Sequence, residues 1–458
     1  MAIFNKIGKS VLIGIFVGCA SAWAEPSRVF DVTWFGAVGD GQSSNTAAFQ
    51  AAIDACGEDG TVRINSGKYV TGTIKLKSGV ELNIGKGAVI HGSTDLNDYA
   101  RDVFGSVEAP AFSKCLIFAE NAENIKITGS GTINGNGSEE NFPVKLGSEL
   151  GERPMLIRFV NCRNVTFSDV TLKDSASWCT HLVNCDDVII NGVKINSRVN
   201  FNNDGFDLDG CRNVVIENCD IRTGDDSICP KSTTLRAAEN ITVRNCRVSS
   251  GTAAFKCGTS SRGGFRNINV DNCLFYDCGM GAVKLLMVDG GVLEDINISN
   301  VTMDNVEGPF FIRLGNRGRK YDSPTEQVYS QDARPEGAEV GILRNVCISN
   351  IKAAVRGDDK TRQGIMISGI PGHNISGITF ENIDISFTGN GTEKDAQRIV
   401  LEDIARYPEQ FFFGVLPSWA MYIRHVDGIL LKNVNFSLIN PDKRPRIVAE
   451  DVENLRIY

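Results

Sequence analysis

The sequence has no surplus of basic residues, and that removes one class of partner. Its 47 Lys and Arg are outnumbered by 55 Asp and Glu, for a net charge of −8 and an isoelectric point near 5.3. Nucleic-acid affinity is built from clustered cations, so no nucleic-acid partner is expected. An anionic sugar stays open, because a local cationic patch can sit on an acidic protein. No Cys-x-x-Cys pair or Cys/His spacing is present, which argues against a zinc site. Beyond the N-terminus no apolar run is long enough to span a bilayer. Stripes of Leu and Ala at a 3.6-residue period are also missing, which excludes stacked helical repeats. What remains is an ordinary soluble composition, 42% hydrophobic and 22% charged.

The first residues read as an export signal. Lys6 and Lys9 precede the apolar run Val11-Leu12-Ile13-Gly14-Ile15-Phe16-Val17-Gly18, and Ala22-Trp23-Ala24 supplies a small-x-small cleavage site. The expectation is a signal peptide over 1–24, one domain over 25–458, and a secreted or periplasmic product. A lipid anchor at Cys19 is the weaker alternative, since Phe16 stands where Leu is preferred. The 14 cysteines would suggest disulfides in an exported protein. Their placement argues otherwise: Cys162, Cys185 and Cys211 recur at one point of a repeat, and Cys219, Cys246 and Cys273 at another. A buried thiol behaves as a small hydrophobe, so these predict an interior stack.

That repeat organises the chain. Asn or Asp, an apolar residue and then alternation recur from Asn124-Ile125-Lys126-Ile127 through Asn164-Val165, Asp187-Val188, Asn213-Val214, Asn240-Ile241, Asn267-Ile268 and Asp295-Ile296. Between Asp187 and Asp295 the spacing is about 26 to 28 residues, a period for stacked modules and too short for a propeller blade. Period-2 alternation means short strands with one buried face. The prediction is all-β, a right-handed parallel β-helix whose Asn corners take the left-handed conformation. Ala47-Ala48-Phe49-Gln50-Ala51-Ala52-Ile53 predicts a short helix capping its N-terminal end. The period breaks near 310–340 and 386–425, where insertions are expected beside one face.

One constellation carries chemistry. Asn202-Asn203-Asp204-Gly205-Phe206-Asp207 is followed, slightly under one repeat later, by Gly224-Asp225-Asp226-Ser227. A β-helix sets Asp204, Asp225 and Asp226 on neighbouring coils. Clustered carboxylates push one another's pKa apart, so one stays protonated as an acid while another remains a base. Glycoside hydrolysis needs that division, and inversion needs a wide pair with room for a water. A row of solvated turn aspartates fits the spacing alone equally well.

These phrases resemble the polygalacturonase family of glycoside hydrolases, family 28, which are right-handed parallel β-helices. The likeness runs from Val32-Thr33-Trp34-Phe35-Gly36-Ala37-Val38-Gly39-Asp40-Gly41 past residue 310. It rests on Asn203-Asp204-Gly205-Phe206-Asp207, Gly224-Asp225-Asp226 and Lys231-Ser232, with Arg153-Pro154 and Ser177-Trp178 upstream. It implies Asp225 as general acid, and Asp204 and Asp226 as the pair that holds and deprotonates the attacking water. Asp207 and Asp209 are expected at turns or in ladders. The resemblance implies no cofactor and no metal.

The departures bear on the substrate. Thr252 stands where the family has the His of a Gly-His-Gly motif. In Val283-Lys284-Leu285-Leu286, Lys284 stands for the Arg of a uronate-binding Arg-Ile-Lys motif, and Leu286 cannot stand for its Lys. Lys256, Lys284 and Arg313 recur about one coil apart and are expected to rebuild a cationic wall. His181, Asn202 and Lys231 complete the substrate-contact candidates, with His181 expected in the column of Asp204. Trp178, Tyr321, Tyr329 and Trp419 are candidates for stacking on sugar rings. The expected activity is inverting cleavage of α-glycosidic bonds in a pectin-type poly- or oligosaccharide, galacturonan or rhamnogalacturonan, by a monomer. The insertions point to exo-action or to short substrates. Two rivals remain: a Ca²⁺-dependent lyase using Asp204, Asp207, Asp225 and Asp226, and a non-catalytic carbohydrate-binding β-helix.

Overall fold

The computed structural model describes residues 28–100, 114–143, 153–318 and 339–458. The signal-peptide reading falls outside them, as do Tyr321 and Tyr329. Short strands run in coils, three to a coil, and each pairs in parallel with its equivalent one coil on. Thr180–Val183, Asp186–Asn191 and Lys194–Ser197 form one coil; Phe206–Asp209, Arg212–Glu217 and Asp220–Thr223 form the next. Toward the C-terminus two strands of a coil fuse, as in Val292–Val306 and Ile342–Val355. Parallel crossovers wind right-handed, and the molecule is a right-handed parallel β-helix.

Alternation inside each phrase explains the core. Register places Val165, Val188, Val214, Ile241, Ile268, Ile296, Val346, Ile378 and Ile429 in one inward column, all buried. Rungs lie about 4.8 Å apart, so each aliphatic side chain packs on its equivalents above and below. The cysteines join this interior: 13 are free thiols among the described residues, and all but the partly covered Cys347 are buried.

The corners use asparagine for two reasons at once. Asn164, Asn213, Asn240 and Asn267 have φ between 50° and 57°, the left-handed region that Asn tolerates. Their amides also bond along the stack: Asn240 Nδ2 donates to Asn213 Oδ1 at 3.1 Å, and Asn267 Nδ2 to Asn240 Oδ1 at 2.8 Å. A second ladder joins Asn191, Asn218, Asn245 and Asn272. The expected N-terminal helix spans Thr46–Cys56 and buries Phe49, Ala52, Ile53 and Cys56. It packs on the strands Arg28–Asp31 and Gly60–Ile64 and so covers the first coils.

The insertion between the strands Ile375–Phe387 and Met421–Leu438 folds back along the stack. It contains the short helix Glu393–Ala396 and the 3-10 turn Gln410–Phe413. Phe413, Leu416 and Val400 pack on Leu286, Phe311, Met366 and Tyr422, which point outward from four successive coils. That docking decides what surrounds the aspartates.

Candidate active site

The three aspartates meet at one corner of the helix. Phe206 pairs with Ile228, and Gly205 N donates to Asp226 O at 2.8 Å. That register sets Asp204 directly over Asp226 on the next coil. Asp225 follows the turn after Asp220–Thr223, and its carbonyl accepts from Thr223 Oγ1 at 2.6 Å and Ser250 Oγ at 2.7 Å. Carboxylate oxygens of Asp204, Asp225 and Asp226 lie within 4.8 Å of one another. That is the approach of one oxygen from each residue, closer than the roughly 6.5–9.5 Å that separates whole carboxyl groups in a two-carboxylate inverting site.

Asn203 holds the corner. Its side chain is buried, accepts from Val199 N at 2.8 Å and Asn200 N at 2.7 Å, and donates to Ser175 O at 2.8 Å and Ser177 O at 3.2 Å. Replacing it by Ala strips four backbone groups of their partner, at about 1–3 kcal/mol for each group left dry. Asn203→Ala is therefore expected to lower the urea midpoint clearly; an unchanged midpoint would show that water takes over those bonds.

The environments of the trio differ in sign. Burial pushes Asp226 up, but Lys256, Lys284 and Lys231 outweigh it and hold its carboxyl well below the usual range. Lys256 Nζ donates to Asp226 Oδ2 at 2.7 Å, and Thr252 Oγ1 to Asp226 Oδ1 at 2.7 Å. Asp225 is raised by burial and by the charge of Asp226. Asp204 is raised by burial and then by Asp225 and Asp207. One carboxylate is thus kept ionised and two are biased toward the acid form. Thr252 also stands 3.1 Å from Asp225 Oδ1, so its hydroxyl spans the ionised Asp226 and the raised Asp225.

Other candidates sit differently from expectation. His181 pairs in register with Asp207, not with Asp204. It is fully buried, edge-on to Trp178, with Nε2 3.6 Å from Asp209 Oδ2, and burial lowers its pKa. Asp207 and Asp209 are neither turn nor ladder residues: they point outward from the strand Phe206–Asp209. Lys231 Nζ lies 3.4 Å from Asp207 Oδ1, and Asp209 accepts from Thr233 N and Oγ1 at 2.9 and 2.6 Å. Asn202 Oδ1 accepts from Arg153 Nη2 at 3.0 Å. Trp178 is buried with Lys231 Nζ 4.8 Å from its ring, and Trp419 packs against Phe387.

The cationic wall is not an open one. Lys256 and Lys284 do stack on adjacent rungs, but the next residue in their column is Phe311, not Arg313. Arg313 pairs with Leu286, is buried, and donates to Ser368 Oγ and to the carbonyls of Gly369, Glu402 and Asp403. It fastens the insertion. Sequence reasoning missed Glu409, whose carboxylate bonds Lys284 Nζ and stands 3.8 Å from Lys256 Nζ. It also missed Tyr407, whose hydroxyl meets Thr259 Oγ1 at 3.0 Å. Neither lies in a repeat phrase, so no periodic signal marks them.

As a cation site the trio offers three carboxylates with a protonated lysine already on one of them, and Asp207 lies outside the cluster. No helix among the described residues is long and apolar enough to cross a membrane.

Comparison with known proteins places this arrangement. The family model described as glycosyl hydrolases family 28 matches residues 56–401. A probable polygalacturonase of Vitis vinifera is 34% identical over 214 residues, covering 43% of each chain. An exo-poly-alpha-D-galacturonosidase of Dickeya chrysanthemi is 28% identical over 250 residues, 44% of this chain and 41% of that one. The matched part is thus under half the length of those two relatives. Among solved structures, a hyperthermoactive exopolygalacturonase from Thermotoga maritima superposes with a TM-score of 0.66 at 26% identity, over 79% of this chain and 87% of its own. The family 28 exopolygalacturonase of Yersinia enterocolitica shares the fold, with a TM-score of 0.72 at 19% identity over 94% and 78%. With the family model matching well over half of its residues, this chain belongs to glycosyl hydrolases family 28.

Proposed function

We propose that the protein is an inverting, exo-acting glycoside hydrolase cleaving α-glycosidic bonds in pectin-type polysaccharides, exported by its N-terminal segment. The observation that carries this reading is the opposed bias of adjacent carboxyls: Asp226 held ionised by Lys256, Asp225 pushed toward its acid form. Asp225 gives its proton to the glycosidic oxygen as the bond breaks. Asp204 and Asp226, one rung apart, share the water that attacks the anomeric carbon, and Asp226 takes its proton. Splitting the base side between two carboxylates explains how oxygens within 4.8 Å can still hold a single water between them. The insertion that fills one flank with Tyr407 and Glu409 supports exo-action.

The close spacing favours one alternative, a retaining mechanism with a carboxylate nucleophile. Time-resolved NMR of products from pectic oligosaccharides separates the two. Inversion of an α-bond gives the β-anomer first, and exo-action gives only the shortest product at early times. A first-formed α-anomer would sink the inverting assignment, and an early ladder of mid-length products the exo assignment. Loss of turnover on chelation, with products absorbing as unsaturated uronates, would point to the lyase.

A further inference from the structure

Lys256 and Lys284 face the same way from adjacent rungs. Like charges on adjacent rungs of a dry wall repel unless carboxylates face them, and Lys256 already faces Asp226. The chain supplies a second carboxylate for the pair. One oxygen of Glu409 bonds Lys284 and the other faces Lys256 at 3.8 Å. A carboxylate held by one oxygen on each of two cations is how a sugar carboxylate would be gripped. Here the grip is already filled.

Glu409 is fixed in place. Gln410 beside it donates to Gln363 O at 3.0 Å, Phe413 and Leu416 are embedded against Leu286 and Phe311, and Arg313 ties down the carbonyls of Glu402 and Asp403. The lysines are out of reach: Lys284 is 0% exposed and Lys256 4%. The ammonium groups of Lys231, Lys256 and Lys284 each already face a carboxylate, that of Asp207, Asp226 and Glu409 in turn. An incoming uronate would meet three ammonium groups already engaged by carboxylates and would bring its charge into a region of low dielectric.

We infer that Glu409 is a specificity-determining residue that occupies the cation pair in place of a substrate carboxylate, so that the sugar whose anomeric bond is cleaved is neutral. This rests on the hydrolase reading above and narrows its substrate to pectic material whose reacting residue bears no carboxylate. Glu409 does not take part in bond cleavage; it decides which sugar is accepted.

The test uses the full-length protein on polygalacturonate and rhamnogalacturonan, each supplied intact and after chemical reduction of its carboxyl groups to primary alcohols. The wild type is expected to favour the reduced polygalacturonate over the intact one by at least about tenfold in kcat/KM. Glu409→Ala, which vacates the lysines, is expected to move that ratio toward the intact polymer by about tenfold or more. Glu409→Gln keeps the side chain's volume and an acceptor for Lys284, and controls for a collapsed loop; it should move the ratio the same way by less. Preference of the wild type for intact polygalacturonate, with Glu409→Ala merely slowing it, would overturn the inference while leaving the hydrolase reading standing. No new reducing ends from any of the four polymers, with Asp225→Asn indistinguishable from wild type, would overturn both.

Discussion

Asp225→Asn is expected to lower kcat by about 10²–10⁴, the usual contribution of a positioned general acid. The amide keeps the shape and can accept from Asp226 N, which now donates to Asp225 Oδ1 at 2.8 Å, so the corner should fold as before. What it lacks is a proton to release. Substrates whose leaving group departs without protonation, such as activated aryl glycosides, should lose far less than natural ones. A second effect runs the other way. Asp225 is raised by burial and by Asp226, so ionising it costs more in the folded protein than in the unfolded chain. A raised carboxyl weakens the fold once pH climbs past its unfolded value. The Asn variant should therefore melt higher than wild type at pH 7, with the gain vanishing in acid where both states are protonated. Wild-type turnover by the variant would remove Asp225 from the mechanism. A lower melting temperature at pH 7 would mean that its carboxylate is better compensated than the geometry shows.

Lys256→Met should disable the base and cost stability together. Lys256 Nζ is the charged partner of Asp226 at 2.7 Å, and its own pKa is raised well above normal, burial opposing and Asp226 dominating. With the cation gone, only Lys284 and Lys231 oppose burial, and Asp226 moves up toward the other two. The acidic limb of kcat/KM should then move to higher pH by about 1–3 units, the typical effect of one close opposite charge. Removing one member of a buried ion pair costs about 3–5 kcal/mol while the other stays charged. The sign of the pH dependence follows. In wild type the depressed Asp226 stabilises the fold above its unfolded pKa of 3.8, and that contribution is lost as pH falls through the lower folded value. The variant lacks it, so the stability gap should be widest at neutral pH and close in acid. Urea titrations at pH 7 and about pH 2, with pH-rate profiles, check both halves. An unmoved acidic limb would show that Lys256 does not tune the base.

How much of this was readable depends on whether a residue's role is local. Asn213, Asn240 and Asn267 announced their corners because each phrase by itself needs a left-handed residue there, and the repeat says so again every coil. Asp204, Asp225 and Asp226 were legible because a carboxylate separated by just under one repeat from a pair can only land on the neighbouring rung. Arg313 was misplaced by two positions: coils differ in length, and counting residues cannot tell Phe311 from Arg313 as the next rung after Lys284. His181 failed for the same reason, registering with Asp207. Leu286 looked like a missing cation; it is a contact made, the seat for Phe413 and Leu416. Glu409 was beyond reach, since its partner Lys284 lies 125 residues away and nothing near Glu409 repeats.

The docking of that insertion also sets an order of assembly. Coils of a solenoid need only their immediate neighbours, so the stack can grow as the chain emerges, rung upon rung. By the time the strand Val283–Met287 is laid down, the three aspartates and both lysines are in register. Lys284 still lacks its carboxylate, because Glu409 has yet to arrive. Only when the last coils form, and Phe413 settles on Leu286, does the electrostatic setting of the catalytic corner close. The charge balance of that corner is thus completed only with the last part of the stack.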